Sequence, residues 1–319
     1  MSKTTIAWTD ESLNPFVGCT KVSPGCAHCY AETAAASPRL QQFDQYKTVV
    51  NGNGRWNGHV EFVPKMLDKL FTYKKPRRIF MPSMSDPFHP AVKDEWLDQM
   101  MAAIALNPHL TFQVLTKRPQ RMMEYYSRIK DIGENWCSEM AHVACDKEWR
   151  KWKQESHSFF DSGEEVCFTS YQCFREIRDA LQKGFQNLWL GVTVENQAAA
   201  NDRIPLLQQT PAAVRFLSVE PMLELVQLYL GNLNGDAPIH QVIVGGESGS
   251  NAREFHLEWA DDIQRQCKIT GTKFFMKQVG SNAYYHGQQF KTKSRAGTDP
   301  DEWPEHLKVQ ESPGENNDK

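Results

Sequence analysis

No stretch of this 319-residue chain stays apolar long enough to span a bilayer, and its opening residues, Met1 to Thr5, are polar and lead into no signal-like apolar run. A soluble, cytoplasmic protein with no membrane partner is the expectation. Basic excess is missing as well: 36 Lys and Arg face 39 Asp and Glu, for a formal charge of −3, so no overall positive field advertises nucleic acid, and only a local basic groove stays open. Cysteine is too sparse, at eight residues, for a disulfide scaffold. A Gly-x-Gly-x-x-Gly spacing is absent, which removes the dinucleotide fingerprint, and the His-rich ligand set of a catalytic zinc hydrolase is absent too. No solenoid-type repeat is present. What remains is a globular chain whose 40% hydrophobic content suffices for a substantial core.

The cysteines that are present cluster. Cys19, Cys26 and Cys29 fall within eleven residues, in the run Asn14-Pro15-Phe16-Val17-Gly18-Cys19 to Ser23-Pro24-Gly25-Cys26-Ala27-His28-Cys29-Tyr30. Three thiolates on one loop suit an iron-sulfur cluster that leaves one iron open, whereas a closed structural site usually shows four ligands. Gly18 and Gly25 let the backbone turn beside two of the cysteines, Pro24 stiffens the loop, and Tyr30 is placed to shield one face. Two other readings stay open: a zinc loop completed by His28 or a distant ligand, and three unrelated buried thiols.

Short apolar runs recur along the chain: Ile79-Phe80-Met81, Thr111 to Leu115, Leu188 to Val192, Val214 to Leu217, Gln241 to Val244 and Lys273 to Met276. They read as buried parallel strands. Helical patterns lie between them, as in Lys93 to Ala105, where Trp96, Leu97, Met100, Met101 and Ile104 repeat at three- and four-residue spacing, and in Leu257 to Thr270. Polar residues follow nearly every run: Ser83-Met84-Ser85-Asp86, Thr116-Lys117-Arg118, Thr193-Val194-Glu195-Asn196, Ser218-Val219-Glu220-Pro221 and Gly245-Gly246-Glu247-Ser248. In a barrel such strand ends converge on one mouth, which favours an α/β fold built as a full or partial (β/α) barrel over an open sheet. The expected layout is a barrel over residues 1–290, interrupted by an inserted helical segment at about 125–185, with 291–319 as a C-terminal loop and flexible tail.

Taken together, the cysteine run, Phe80-Met81-Pro82-Ser83-Met84-Ser85-Asp86-Pro87-Phe88, Leu115-Thr116-Lys117-Arg118-Pro119, Gly191 to Asn196, Ser218 to Pro221 and Gly245 to Gly249 resemble a phage family of unknown function, DUF5131, named after gene products 37 and 68. The resemblance covers about residues 5–280 outside the insertion. That family is itself similar to radical S-adenosylmethionine enzymes of the spore photoproduct lyase type. The resemblance implies a partial barrel of the radical S-adenosylmethionine type. It further implies a four-iron, four-sulfur (4Fe-4S) cluster on Cys19, Cys26 and Cys29, and S-adenosylmethionine on the fourth iron. The six residues between Cys19 and Cys26 are more than the usual three, a lengthening shared with the phage family.

On the same resemblance, Ser85 and Asp86 hold the methionine amino group and Lys117 the carboxylate, while Arg118 is a less specific neighbour. Helix capping by Ser85 or Asp86 and a solvated Lys117 are the bland counterparts. Glu195, Asn196, Ser218, Glu220 and Glu247 offer hydrogen bonds to ribose, adenine or substrate. Three carboxylates at one mouth repel, so a cation or a hydrogen-bonded substrate is expected among them. Lys277 either faces the mouth or forms a salt bridge. Kinship with the lyases suggests a nucleobase or nucleic acid as substrate and an electron-donor protein as partner. Cys137, Cys145, Cys167 and Cys173 form either a second metal site or ordinary buried thiols, and Asn51 to Trp56 is either a stacking loop or a surface turn. The competing overall reading is a non-catalytic zinc or iron-sulfur module that binds a protein or nucleic acid.

Overall fold

The computed structural model describes residues 4, 6–147, 149, 170–231 and 238–314. Seven parallel strands follow one another in chain order across a single sheet: β1 (Glu11–Ser12), β2 (Arg78–Phe80), β3 (Thr111–Thr116), β4 (Leu188–Thr193), β5 (Val214–Val219), β6 (Gln241–Gly245) and β7 (Lys273–Gln278). The sheet curls into a half-barrel flanked by helices, as the alternating runs imply. Registers such as Arg78↔Thr111, Phe112↔Leu188, Trp189↔Val214, Phe216↔Gln241 and Gln241↔Lys273 keep the strands nearly level, so their carboxyl ends reach a common rim.

Side chains alternate between the two faces with period two. On the convex face Phe112, Val114, Leu190, Val192, Leu217, Val242, Val244, Phe274 and Met276 join the large core, to which the helices contribute. On the concave face Phe80, Trp189, Phe216, Ile243 and Phe275 gather around Trp8, in a cluster that holds no helix-borne side chain. Trp8 packs against Phe80 and Phe216 at centroid separations of 4.7 and 5.9 Å, plugging the amino-terminal end of the half-barrel. Gly191 leaves room for this floor: a Cβ there would lie 2.5 Å from the Phe216 ring.

Helices α1 (Tyr30–Ala35), α2 (Asp94–Ala105), α3 (Pro119–Ile132), α4 (Glu134–Asp146), α5 (Ser170–Lys183), α6 (Gln197–Gln209) and α7 (Leu257–Thr270) carry the chain back between strands or over the sheet. The expected inserted segment contains α4 and α5. One buried acid ties it to the barrel: Asp98 of α2 accepts hydrogen bonds from Tyr125 and Trp136, each at 2.8 Å, and pairs with Arg128 at 2.5 Å. Burial pushes the Asp98 carboxyl up despite these partners. From 291 through Gly314 the chain is loop-rich and lies against the barrel. Trp303 and Leu307 are buried, and Val309 to Glu311 add backbone hydrogen bonds along β7, because two apolar side chains among the charges find a place on the sheet. Among the described residues no helix is long and apolar enough to cross a membrane.

Candidate functional site

The cysteine loop is anchored to the β2 side of the half-barrel by one asparagine and one glycine. Asn14 Oδ1 accepts from the Ser83 amide at 2.7 Å, the Met84 amide at 3.0 Å and the Ser83 hydroxyl at 3.1 Å. Gly18, at φ +99°, bridges to Ser85, whose hydroxyl donates to the Gly18 carbonyl at 2.5 Å. A side chain at Gly18 would meet the His59 carbonyl at 2.2 Å, so both its positive φ and its close packing demand glycine. Pro24–Cys26 form a 3-10 turn, and Cys29 caps the amino end of α1. Behind the loop, Glu32 is buried and accepts from Lys21 at 2.9 Å, Arg55 at 2.7 Å and the Trp56 amide at 3.0 Å, which fixes the Asn51 to Trp56 turn against α1.

Three ends of the sheet reach up to the loop. From β3, Arg118 pairs with buried Asp86 at 2.8 Å, donates to the Thr20 carbonyl at 3.0 Å and lies 3.8 Å from Cys19 Sγ. From β4, Glu195 is fully buried beneath Gly25, with its side chain 3.1 Å from where a Gly25 Cβ would sit. From β6, Glu247 hydrogen-bonds His28 Nδ1 at 3.0 Å and Arg253 at 2.6 Å, while Arg253 also donates to the Pro24 carbonyl at 2.9 Å. All three cysteines on the loop remain free and half-buried.

The expected site residues divide by what they touch. Asp86 accepts from Thr116 Oγ1, the Lys117 and Phe88 amides and Arg118, so both its oxygens are occupied within the chain. Asn196 caps α6 by accepting from the Ala199 amide at 2.8 Å. Ser218 is buried on the concave face, two residues from Phe216. The anticipated repulsion among three carboxylates does not arise. Glu195 pairs with Arg203 at 2.9 Å, Glu220 with Lys277 at 2.7 Å and Glu247 with Arg253, so each acid carries its own cation and none awaits an external one. Arg203 and Arg253 carry no motif in the sequence; they stand eight and six residues beyond their acids, and only the fold joins them. Lys117 is different: among the described residues its ammonium makes no hydrogen bond or ion pair, although its charge acts on Cys26 and Glu195.

These charges set the protonation of the site. Burial pushes the Cys26 thiol up, but Lys117 together with hydrogen bonds from Val22 and Ser23 outweighs it, leaving the thiol below its ordinary value. Burial and Asp86 push Cys19 up to about 11 against the opposing pull of Arg118. His89, which hydrogen-bonds Thr20 at 2.9 Å, is driven down to about 4 by burial and by Arg118, so it is neutral at pH 7. Glu247 is held at about 2: burial works against ionisation, but Arg253 and His28 prevail.

A sequence model of the family described as "Protein of unknown function (DUF5131)" matches residues 3–305. The chain belongs to that family. No curated protein and no solved structure matches it. In this DUF5131 member the family match runs through the insertion, where the four further cysteines lie. Cys137 and Cys173 are buried, Cys145 is half-buried, and Cys167 lies outside the described residues. Among the described residues no group of three His, Cys, Asp or Glu side chains is gathered tightly enough for a single metal ion. His28, the ligand suggested for a zinc loop, hydrogen-bonds Glu247. A 4Fe-4S cluster sets a different requirement, because each thiolate binds a separate iron and the sulfurs need not converge on one point. Three free, half-buried thiols on one glycine-bent loop, with Arg118 beside the first and Lys117 beside the second, fit such an anionic group.

Proposed function

We propose that this protein is a 4Fe-4S, S-adenosylmethionine-dependent radical enzyme acting on a nucleobase or nucleic acid. One observation carries the reading: a loop with three free, half-buried thiols, tied over the carboxyl-terminal mouth of a parallel half-barrel, next to a lysine that makes no hydrogen bond or ion pair among the described residues. Cys19, Cys26 and Cys29 would hold the cluster. Cluster and S-adenosylmethionine, when bound, would together supply one-electron radical chemistry directed at a substrate C–H bond. The protein's part is to position and to exclude water.

Lys117 offers its ammonium to a carboxylate entering beside Cys26. Asp86 acts indirectly, through Arg118, which it holds against Thr20 and Cys19. Glu195 and Glu247, each neutralised by its own arginine, support the loop from below. The aromatic floor of Trp8, Phe80, Trp189 and Phe216 seals the far end of the half-barrel, so a group held at the mouth faces a dry interior. A nucleic-acid substrate and an electron-donor protein follow from the family resemblance alone.

Anaerobic reconstitution with iron and sulfide, followed by electron paramagnetic resonance with and without S-adenosylmethionine, tests the reading. A reduced-cluster signal that changes shape when S-adenosylmethionine is added is the expected result. A signal unmoved by saturating S-adenosylmethionine would replace this reading with a structural iron-sulfur module, and a chain that takes up zinc in preference to iron would replace it with a zinc module.

A further inference from the structure

Away from the mouth, a cavity of about 440 Å³ opens between α3, α4 and α5. Its size falls within the range of small-molecule sites, about 300–1,000 Å³. Tyr126 and Ile129 of α3, Cys137 of α4, and Leu181 and Phe185 at the end of α5 make its walls apolar. The polar groups at its edge are mostly of one sign: Lys130, Arg178 and Lys183 face a single acid, Glu134. Lys183 is paired with Asp179 at 3.3 Å, which leaves Lys130 and Arg178 as the effective cations. Arg178 stacks its guanidinium 5.5 Å from the Phe174 ring, and its Nε is buried without a hydrogen-bond partner. A buried donor of this kind costs stability unless something accepts from it. The amino end of the 13-residue α4 also borders the cavity, and its N-cap, Gly133, supplies no side chain to satisfy the free amides of the first turn.

We propose that this cavity binds a small amphipathic carboxylic acid, with its carboxylate held by Arg178, Lys130 and the first-turn amides of α4 and its apolar body against Tyr126, Ile129, Leu181 and Phe185. The chemistry follows from the combination. Apolar walls alone would accept any hydrocarbon; two cations and an unpaired guanidinium donor at one edge select an anionic head. The two effective cations exclude an amine. The site is independent of the cysteine loop, and its test does not depend on a cluster being present.

Calorimetric titration of the full chain with octanoate, octan-1-ol and octylamine decides the matter. Octanoate is expected to bind, octan-1-ol at least about tenfold more weakly, since a charge-assisted hydrogen bond is worth about 1.5 kcal/mol or more, and octylamine not at all. Arg178→Gln should weaken octanoate about tenfold in a chain that melts no lower than the parent, and Lys130→Gln, at an exposed position, should weaken it by a smaller factor. Leu181→Trp should fill the cavity and abolish binding of both acid and alcohol. No octanoate binding, equal affinity for acid and alcohol, or an Arg178→Gln chain that melts normally and binds octanoate as before would each overturn the assignment.

Discussion

Replacing Arg203 by methionine should destabilise the protein by about 3–5 kcal/mol at neutral pH, because it leaves a wholly buried carboxylate with no adequate partner. Glu195 has no exposed surface and Arg203 only 6%. The guanidinium reaches both carboxylate oxygens, at 2.9 and 3.4 Å, and also the Thr193 carbonyl at 2.8 Å. A Coulomb attraction of about 4 kcal/mol follows for unit charges near 4 Å at an effective dielectric of about 20. Ser23, which hydrogen-bonds Glu195, and Lys117, which acts on it through charge alone without an ion pair, stay in place and compensate only in part. The pH dependence gives the sharper test. In the native protein burial opposes ionisation of Glu195, but Arg203 prevails and holds its value below the ordinary one. Its contribution is therefore complete above the unfolded carboxylate value, near 4.3, and is lost as pH falls through the lower folded value. In the variant burial dominates and the folded value rises, so the penalty is present at high pH and fades as Glu195 takes up a proton. The difference in urea-unfolding free energy between the two proteins should therefore shrink steadily from pH 8 towards pH 4. Glu195→Gln in the Arg203→Met background should recover much of the loss at pH 7. A difference below about 1 kcal/mol at pH 7, or one that grows on acidification, refutes the reasoning.

Single Cys19→Ala, Cys26→Ala and Cys29→Ala chains should fold normally, yet each should fall from about four bound irons per chain to below about one after reconstitution, measured by iron and sulfide assay. Gly18→Ala should cost at least about 1–3 kcal/mol for its positive φ alone, with the clash on the His59 carbonyl added, and thermal melting should show it. Because Glu247 is held at about 2, its stabilising effect is complete above about pH 4.3 and disappears as pH falls towards 2; Arg253→Gln should remove much of it, so that the two proteins differ by a constant amount at neutral pH and converge in acid. Lys117→Met should raise the Cys26 thiol and move its alkylation by iodoacetamide in the metal-free chain to higher pH, with Cys19 nearly unaffected; an unshifted profile for Cys26 would show that Lys117 does not reach it.

Six of the seven strands were legible because each is an apolar run buried on both faces, ended by polar residues. The first, Glu11–Ser12, was not: two residues with no apolar pattern join the sheet only through their pairing with Ile79 and Phe80. The α2 pattern of Leu97, Met100, Met101 and Ile104 was equally plain, but Asp98 on the same buried side was not, since its partners Tyr125, Arg128 and Trp136 lie about thirty to forty residues on, in the insertion. The same limit applies at the mouth. The sequence marks Glu195, Glu220 and Glu247 as strand-end acids. Whether those acids repel or pair depends on where Arg203, Lys277 and Arg253 fall in space, and helical phase and loop path decide that. Asn196 is the converse case, because an asparagine before a helix already suggests the cap it forms.

Pairing at the mouth changes what the site is suited to hold. Three unpaired carboxylates would attract a cation and repel thiolates. With Glu195, Glu220 and Glu247 neutralised in turn by Arg203, Lys277 and Arg253, and with Asp86 and Glu32 matched by Arg118 and Lys21, the acids no longer dominate. Lys117 is then the cation left over among these groups, and its charge lowers the Cys26 thiol. Arg118 lies 3.8 Å from Cys19 but is already matched by Asp86, and burial with Asp86 keeps that thiol high, so of these two thiols the surplus charge acts on Cys26 alone. The local balance thus favours an anionic centre built on the loop, as the proposed cluster requires, even though the chain as a whole is negatively charged. The acids serve by holding their arginines in place, and through Arg253 on Pro24 and Arg118 on Thr20 those arginines hold the loop.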